Sequence, residues 1–184
     1  MNIYKKDDFH KILQLIKKGA IFVYPTDTIY GIGCDATNND AVKKLRQIKK
    51  QFERPFSVIV PSKEWIRQNC IVNNNAEQWL QKLPGPYTLI LPLKNKKCVA
   101  SSVITDDTLG IRIPSHWCSE LASSLQKPIV TTSANISGKP FITIPLELEE
   151  ELKKQIDFVI DEGVLSTKPS TIVDLTNEEK IVRR

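Results

Sequence analysis

The sequence predicts an α/β fold, a twisted mixed sheet with flanking helices. Three observations predict it. Segments with apolar residues at helical spacing alternate with short apolar runs of strand length along the whole chain. Pro, Gly and Asn punctuate the runs. No linker, repeat or low-complexity stretch divides the 184 residues, so 1–184 reads as one domain.

The elements follow in order. "DDFHKILQLIKKG" puts Phe9, Ile12, Leu13 and Ile16 on one helical face, with Asp7 as cap and Gly19 as stop. "AIFVY" (20–24) is a buried strand that Pro25 ends, since proline cannot donate to a ladder. "NNDAVKKLRQIKK" turns Val42, Leu45 and Ile48 inward on a second helix, and "FSVIV" (56–60) is a strand. "KEWIRQN" and "NAEQWLQKL" are short helices. "PGPYTLILPL" is a turn and then a strand at 87–93, and "TLGIRIP" is a strand ended by Pro114. "SHWCSELASSLQ" is a helix, and "PIVTTSAN" a strand running into a polar loop. "IPLELEEELKKQI" reads as a helix with a proline at its start and a charged, solvated face. "FVIDEG", "STIVDL" and "KIVRR" close the chain as strands.

Composition narrows the class. Apolar residues make up 41% and charged residues 26%, ordinary for a soluble protein. No apolar run approaches the ~18 residues of a spanning helix, and "MNIYKKDDFH" lacks the apolar core of a signal peptide, so the expected location is the cytoplasm, away from membranes. Cys34, Cys70, Cys98 and Cys118 stand far apart and read as separate thiols. A net charge of +5 and a pI near 9.0 permit RNA or a nucleotide as partner, and equally no such partner.

Three loops carry unusual polar density. In "PTDTIYGIG", Thr26 and Thr28 are two apart, and Gly31 and Gly33 allow close backbone approach. It is neither a Walker loop nor a complete dinucleotide fingerprint, and on its own it reads as a strand-to-strand turn. "TTSANISGKP" offers hydroxyls and an amide without permanent charge, suited to a zwitterionic or phosphorylated ligand, or to a plain turn. "RQIKKQFERP" carries Arg46, Lys49, Lys50 and Arg54, which would otherwise be a solvated helix end. The two histidines, His10 and His116, form no triad or zinc motif. If the chain is an enzyme, its chemistry needs little acid–base help, as in transfer at phosphorus.

Together the loops resemble the YrdC-like family, the L-threonylcarbamoyladenylate synthases. The matching stretches are "YPTDTIYGIGCDA", Lys49 with "RPFSVIV", "PGPYTLILPL", "LGIRIP", "TTSANISGKP", "PSTIVDL" and "KIVRR", in the family's order. The length is that of the short, single-domain form. The resemblance implies a sheet curled around a concave, positively charged cavity. It also implies a reaction in which threonine and bicarbonate give N-carboxythreonine, whose carboxylate attacks the α-phosphate of ATP. Pyrophosphate leaves, and threonylcarbamoyl-AMP passes through partner proteins to adenosine 37 of tRNA. Mg²⁺ is expected with the ATP. The nucleophile is already an anion, so the site needs positioning groups and cations more than a base.

Residue by residue, the resemblance assigns Thr26, Arg112, Thr132 and Ser170 to threonine, with Arg112 suited to a carboxylate. It assigns Lys49, Thr108, Ser133, Asn135 and Arg183 to ATP. Lys49, Arg54, Ser133 and Asn135 are the residues expected to carry catalysis. One departure stands out: the family pattern is Lys-x-Arg, whereas Gln51 stands in the arginine position here; Lys50 and Arg54 are the candidates to compensate, and turnover is impaired if neither reaches the site. Asp27 replaces a frequent glutamate. Two other readings remain. One is a carbamoyl-adenylate-forming domain, as in hydrogenase-maturation carbamoyltransferases. The other is a non-catalytic module for double-stranded RNA or tRNA, for which aromatic residues are few at 7%.

Overall fold

The computed structural model describes residues 2–165 and 167–182. Ten strands form one mixed sheet: β1 (Asn2–Tyr4), β2 (Phe22–Tyr24), β3 (Gly31–Gly33), β4 (Ser57–Ile59), β5 (Tyr87–Pro92), β6 (Thr108–Arg112), β7 (Ile129–Ser133), β8 (Phe158–Ile160), β9 (Thr171–Asp174) and β10 (Lys180–Val182). Their order across the sheet is β1-β8-β2-β3-β7-β4-β6-β5-β9-β10. The helices are α1 (Phe9–Lys17), α2 (Asn39–Lys49), α3 (Lys63–Asn69), α4 (Asn74–Gln81), α5 (Ser119–Leu125) and α6 (Glu150–Lys153).

Alternation along the strands decides which helices go where. Val23, Val58, Leu89, Leu91, Ile111 and Val130 point to one face, where they join Val42, Leu45 and Ile48 of α2, Ile66 of α3 and Leu80 of α4 in the larger core. Phe22, Tyr24, Ile59, Ile129, Phe158 and Ile160 point to the other, where α1 and α5 cover them with Ile12, Ile16, Leu121 and Leu125. Phe22 and Phe158 are register partners on parallel strands, and their rings stack at 5.1 Å. Each such fully buried side chain contributes about 1.5–3 kcal/mol. The second face is therefore apolar and covered at one end only. Its other end, across β7, β4, β6, β5 and β9, carries small polar side chains and opens into a cavity.

Four local expectations are corrected. Asp7 does not cap α1: it lies within a 3-10 turn (Lys6–Asp8), and Asp8 instead accepts the Lys5 amide. The helix expected over 144–156 splits into a 3-10 turn (Pro145–Glu147) and the short α6, because Leu148 and Glu149 adopt extended ψ angles and Leu148 turns into the core. Two strands arise where none was expected. β1 pairs in parallel beside β8, and β3 forms the antiparallel return of β2. β3 requires a glycine at 33, since a Cβ there would sit 1.9 Å from the Val130 carbonyl oxygen. The Tyr24 hydroxyl donates to that same oxygen at 3.1 Å.

Candidate active site

The floor of the cavity is one register row. Asp174 faces Ile90, Ile90 faces Gly110, Gly110 faces Ser57, and Ser57 faces Thr131. Five strands thus present one residue each, four of them with a side chain, to a space of about 720 Å³. The glycine in the middle keeps it open. A Cβ on Gly110 would lie 2.5 Å from Ser57 Oγ. The hydroxyl can rotate away, so Gly110→Ala is expected to cost only about 1 kcal/mol, read as a fall in Tm of about 2–4 °C.

A smaller recess of about 60 Å³ adjoins the cavity, with Ser57, Thr88, Thr131, Thr132 and Ser133 lining both. It is walled by Thr26, Thr28, Tyr30, Arg112 and Ser170. Arg112 ends β6 on the cavity face and is 6% exposed. Its Nη2 donates to Asp27 Oδ1 at 2.6 Å and to Thr28 Oγ1 at 3.2 Å. Asp27 Oδ2 in turn accepts the Ser115 amide, so the acid ties the β2–β3 loop to the chain after β6. Arg112 Nε is buried with no acceptor among the described residues. A buried orphan donor is costly, and Arg112 is the cation that lines the recess among the described residues. The Thr26 hydroxyl is spent within its own loop: it donates to the Ile29 carbonyl and accepts the Thr28 amide. Ser170 Oγ and Thr88 Oγ1 are hydrogen-bonded at 2.8 Å. Tyr30 OH donates to the Gly163 carbonyl and accepts the Glu162 amide, which anchors the chain that leads to Ser170. Burial pushes its phenol up to about 12.

The loop after β7 is tightly wired. Ser133 Oγ donates to Asn135 Oδ1 at 2.5 Å, and Asn135 Nδ2 donates to the Lys139 carbonyl. Lys49, at the end of α2, is 1% exposed and lines the cavity. Its ammonium donates to the Ser133 carbonyl at 2.5 Å, the Asn135 carbonyl at 2.7 Å and Asn135 Oδ1 at 3.3 Å. Burial pushes its pKa down to about 8.

The chain between α2 and β4 is shaped by Arg46, whose role the sequence reading missed. Its Nη1 donates to the carbonyls of Gln51, Phe52 and Arg54, its Nε to that of Ser102, and its guanidinium lies 4.7 Å from the Phe56 ring centroid. This arrangement brings Gln51 and Arg54 into the cavity lining. Lys50 turns away and pairs with Glu151 at 2.9 Å, with its side chain 59% exposed.

Of the residues expected from sequence, Thr26, Arg112, Thr132 and Ser170 meet in the recess, and Lys49, Arg54, Thr108, Ser133 and Asn135 meet around the cavity. Arg183 lies outside the described residues. Thr108 Oγ1 is bound to Asp106 at 2.6 Å. The ionisable lining of the cavity among the described residues is Lys49, Arg54, Asp106 and Asp174, so two cations face two carboxylates. Among the described residues no three His, Cys, Asp or Glu side chains gather as a metal site. Sequence reasoning looked to loops and missed Ser57 and Thr88, which lie inside strands; it covered Thr131 only as the first residue of the polar stretch 131–140. The available signal was a hydroxyl in place of an aliphatic residue on one face of an otherwise apolar strand.

The same arrangement of strands and loops occurs in known proteins. The Sua5/YciO/YrdC family model, described as telomere recombination, matches residues 14–184. A putative threonylcarbamoyl-AMP synthase of Methanocaldococcus jannaschii is 39% identical, with 96% of this chain and 86% of that protein aligned. The uncharacterized protein YciO of Escherichia coli is 30% identical over 95% of this chain and 87% of its own. Sua5 of P. abyssi, solved in complex with L-threonine, superposes with a TM-score of 0.87 at 29% identity over 99% of this chain. The chain spans 56% of that longer protein. Sequence and fold thus agree over nearly every residue, and the chain belongs to the Sua5/YciO/YrdC family.

Proposed function

We propose that the chain is a threonylcarbamoyl-AMP synthase, forming the adenylate and pyrophosphate from L-threonine, bicarbonate and ATP. The observation that carries this reading is the pairing of the two spaces. A recess with room for roughly four or five water-sized groups is lined by Arg112, a buried guanidinium whose Nε has no acceptor among the described residues. It shares one wall of hydroxyls with a cavity of nucleotide size. Threonine in the recess would give its carboxylate to Arg112, and its amine would face the shared wall. The amine, once its ammonium proton has passed to bulk water, condenses with bicarbonate, a water leaves, and the new carbamate oxygen attacks the α-phosphate of ATP lying in the cavity. The P–O bond to pyrophosphate then breaks. The carbamate is an anion, so no general base is needed, and the catalytic demand falls on alignment and on cations at the leaving phosphates.

Mg²⁺ belongs to this reading as part of the ATP substrate, held mainly by phosphate oxygens. The product would pass to the proteins that modify adenosine 37 of tRNA. The names of the M. jannaschii relative and of P. abyssi Sua5 with L-threonine support the assignment. Pyrophosphate release tests it. Release is expected only when L-threonine and bicarbonate are both present, with serine a poorer substrate. Release that ignores threonine and instead needs carbamoyl phosphate would replace this reading with a carbamoyl-adenylate former.

A further inference from the structure

We propose that Lys49 is a positioning residue that fixes the Ser133–Ser137 turn for both substrates and makes no contact with phosphate. The inference rests on the functional reading above for its kinetic consequences, though not for its geometry. An ammonium has three hydrogens. Three oxygens of one turn lie within hydrogen-bond distance of its nitrogen, at 2.5 Å, 2.7 Å and 3.3 Å, an acceptor for each hydrogen. The backbone joins in, because the Lys49 carbonyl accepts the Ser137 amide at 3.2 Å. One residue therefore ties the turn at positions 133, 135 and 137. Reaching a phosphate oxygen would mean giving up one of these bonds from a side chain that is only 1% exposed.

The turn it holds is common to both spaces. Ser133 lines the recess as well as the cavity, and so do Thr131 and Thr132 just before it. A phosphate ligand would affect ATP alone, whereas a clamp on this turn must affect threonine as well. The distinction can be measured because the turn's order does not depend on turnover.

Lys49→Met keeps the buried stem and removes the donors. Hydrogen exchange at the amides of 133–138 in the substrate-free variant is expected to speed at least ~10-fold, since three bonds to the turn are lost. The KM values for threonine and for ATP are expected to rise together, each roughly 3- to 10-fold. Unchanged exchange overturns the proposal, and so does a rise in the ATP KM with the threonine KM untouched, which makes Lys49 a phosphate ligand. If Lys49→Met does not fold, Lys49→Gln carries the same comparison with two donors retained and smaller changes expected. If the wild-type protein releases no pyrophosphate with any substrate, the functional reading fails, and the exchange comparison still judges the clamp.

Discussion

Replacing Arg112 with alanine is expected to lower kcat/KM for threonine roughly 30- to 1000-fold, a loss of about 2–4 kcal/mol in transition-state stabilisation. The magnitude follows from geometry. Arg112 is buried, holds Asp27 and Thr28 through Nη2, and leaves Nε unsatisfied beside the recess. A substrate carboxylate there would complete the guanidinium, and alanine would leave that carboxylate without a partner. Arg112→Lys should recover only part of the loss, because an ammonium cannot hold Asp27 and a second carboxylate in one planar fork. The substitution also strands the Asp27 carboxylate, whose side chain is 9% exposed. A buried charge that loses its partner can cost about 3–5 kcal/mol of stability. Adding Asp27→Asn separates the two effects. The double variant should regain Tm while kcat/KM for threonine stays low. Unchanged threonine kinetics in folded Arg112→Ala would rule out Arg112 as the carboxylate partner.

Arg54→Ala is expected to lower kcat roughly 10- to 30-fold at saturating ATP, about 1.4–2 kcal/mol in the barrier. Lys49 is committed to the turn after β7, and Lys50 is drawn off by Glu151. Among the described residues this leaves Arg54 as the cation of the α2–β4 loop that lines the cavity with no carboxylate partner. Departure of pyrophosphate concentrates negative charge that a nearby guanidinium would stabilise. Lys50→Ala should be nearly silent, Gln51→Ala should matter less than Arg54→Ala, and Gln51→Arg should raise the rate by adding a second guanidinium. Steady-state pyrophosphate release from these four variants decides the matter. A silent Arg54→Ala beside a crippled Lys50→Ala would reverse the assignment of the two cations.

The strands with regular alternation were legible from sequence. "YTLILP" and "TLGIR" sort their residues between core and cavity, and β5 and β6 appear where expected. β3 was not legible, because in "GIG" the two glycines, of which Gly33 permits the close approach to β7, also erase the alternation. The helix expected over 144–156 had good composition throughout, but burial of Leu148 breaks it, and that is a tertiary demand. The recess and cavity were largely legible as a set of polar loops. How the groups within them are used was not. Lys49 reads as a free cation at a helix end, and only packing against the turn after β7 reveals that its hydrogens are taken. Asp27 likewise gave no sign that it would engage Arg112, 85 positions away.

Arg46 holds the α2–β4 loop by the carbonyls of Gln51, Phe52 and Arg54, and thus by main-chain atoms that every residue type possesses. The shape of this segment is therefore insulated from the identity of its side chains. The charge presented to the cavity thus becomes a variable that mutation can adjust while the scaffold stays fixed. A combinatorial library at positions 51, 52 and 54 should accordingly show a wide spread of turnover rates over a narrow spread of melting temperatures, whereas the same library built on Arg46→Ala should spread widely in both.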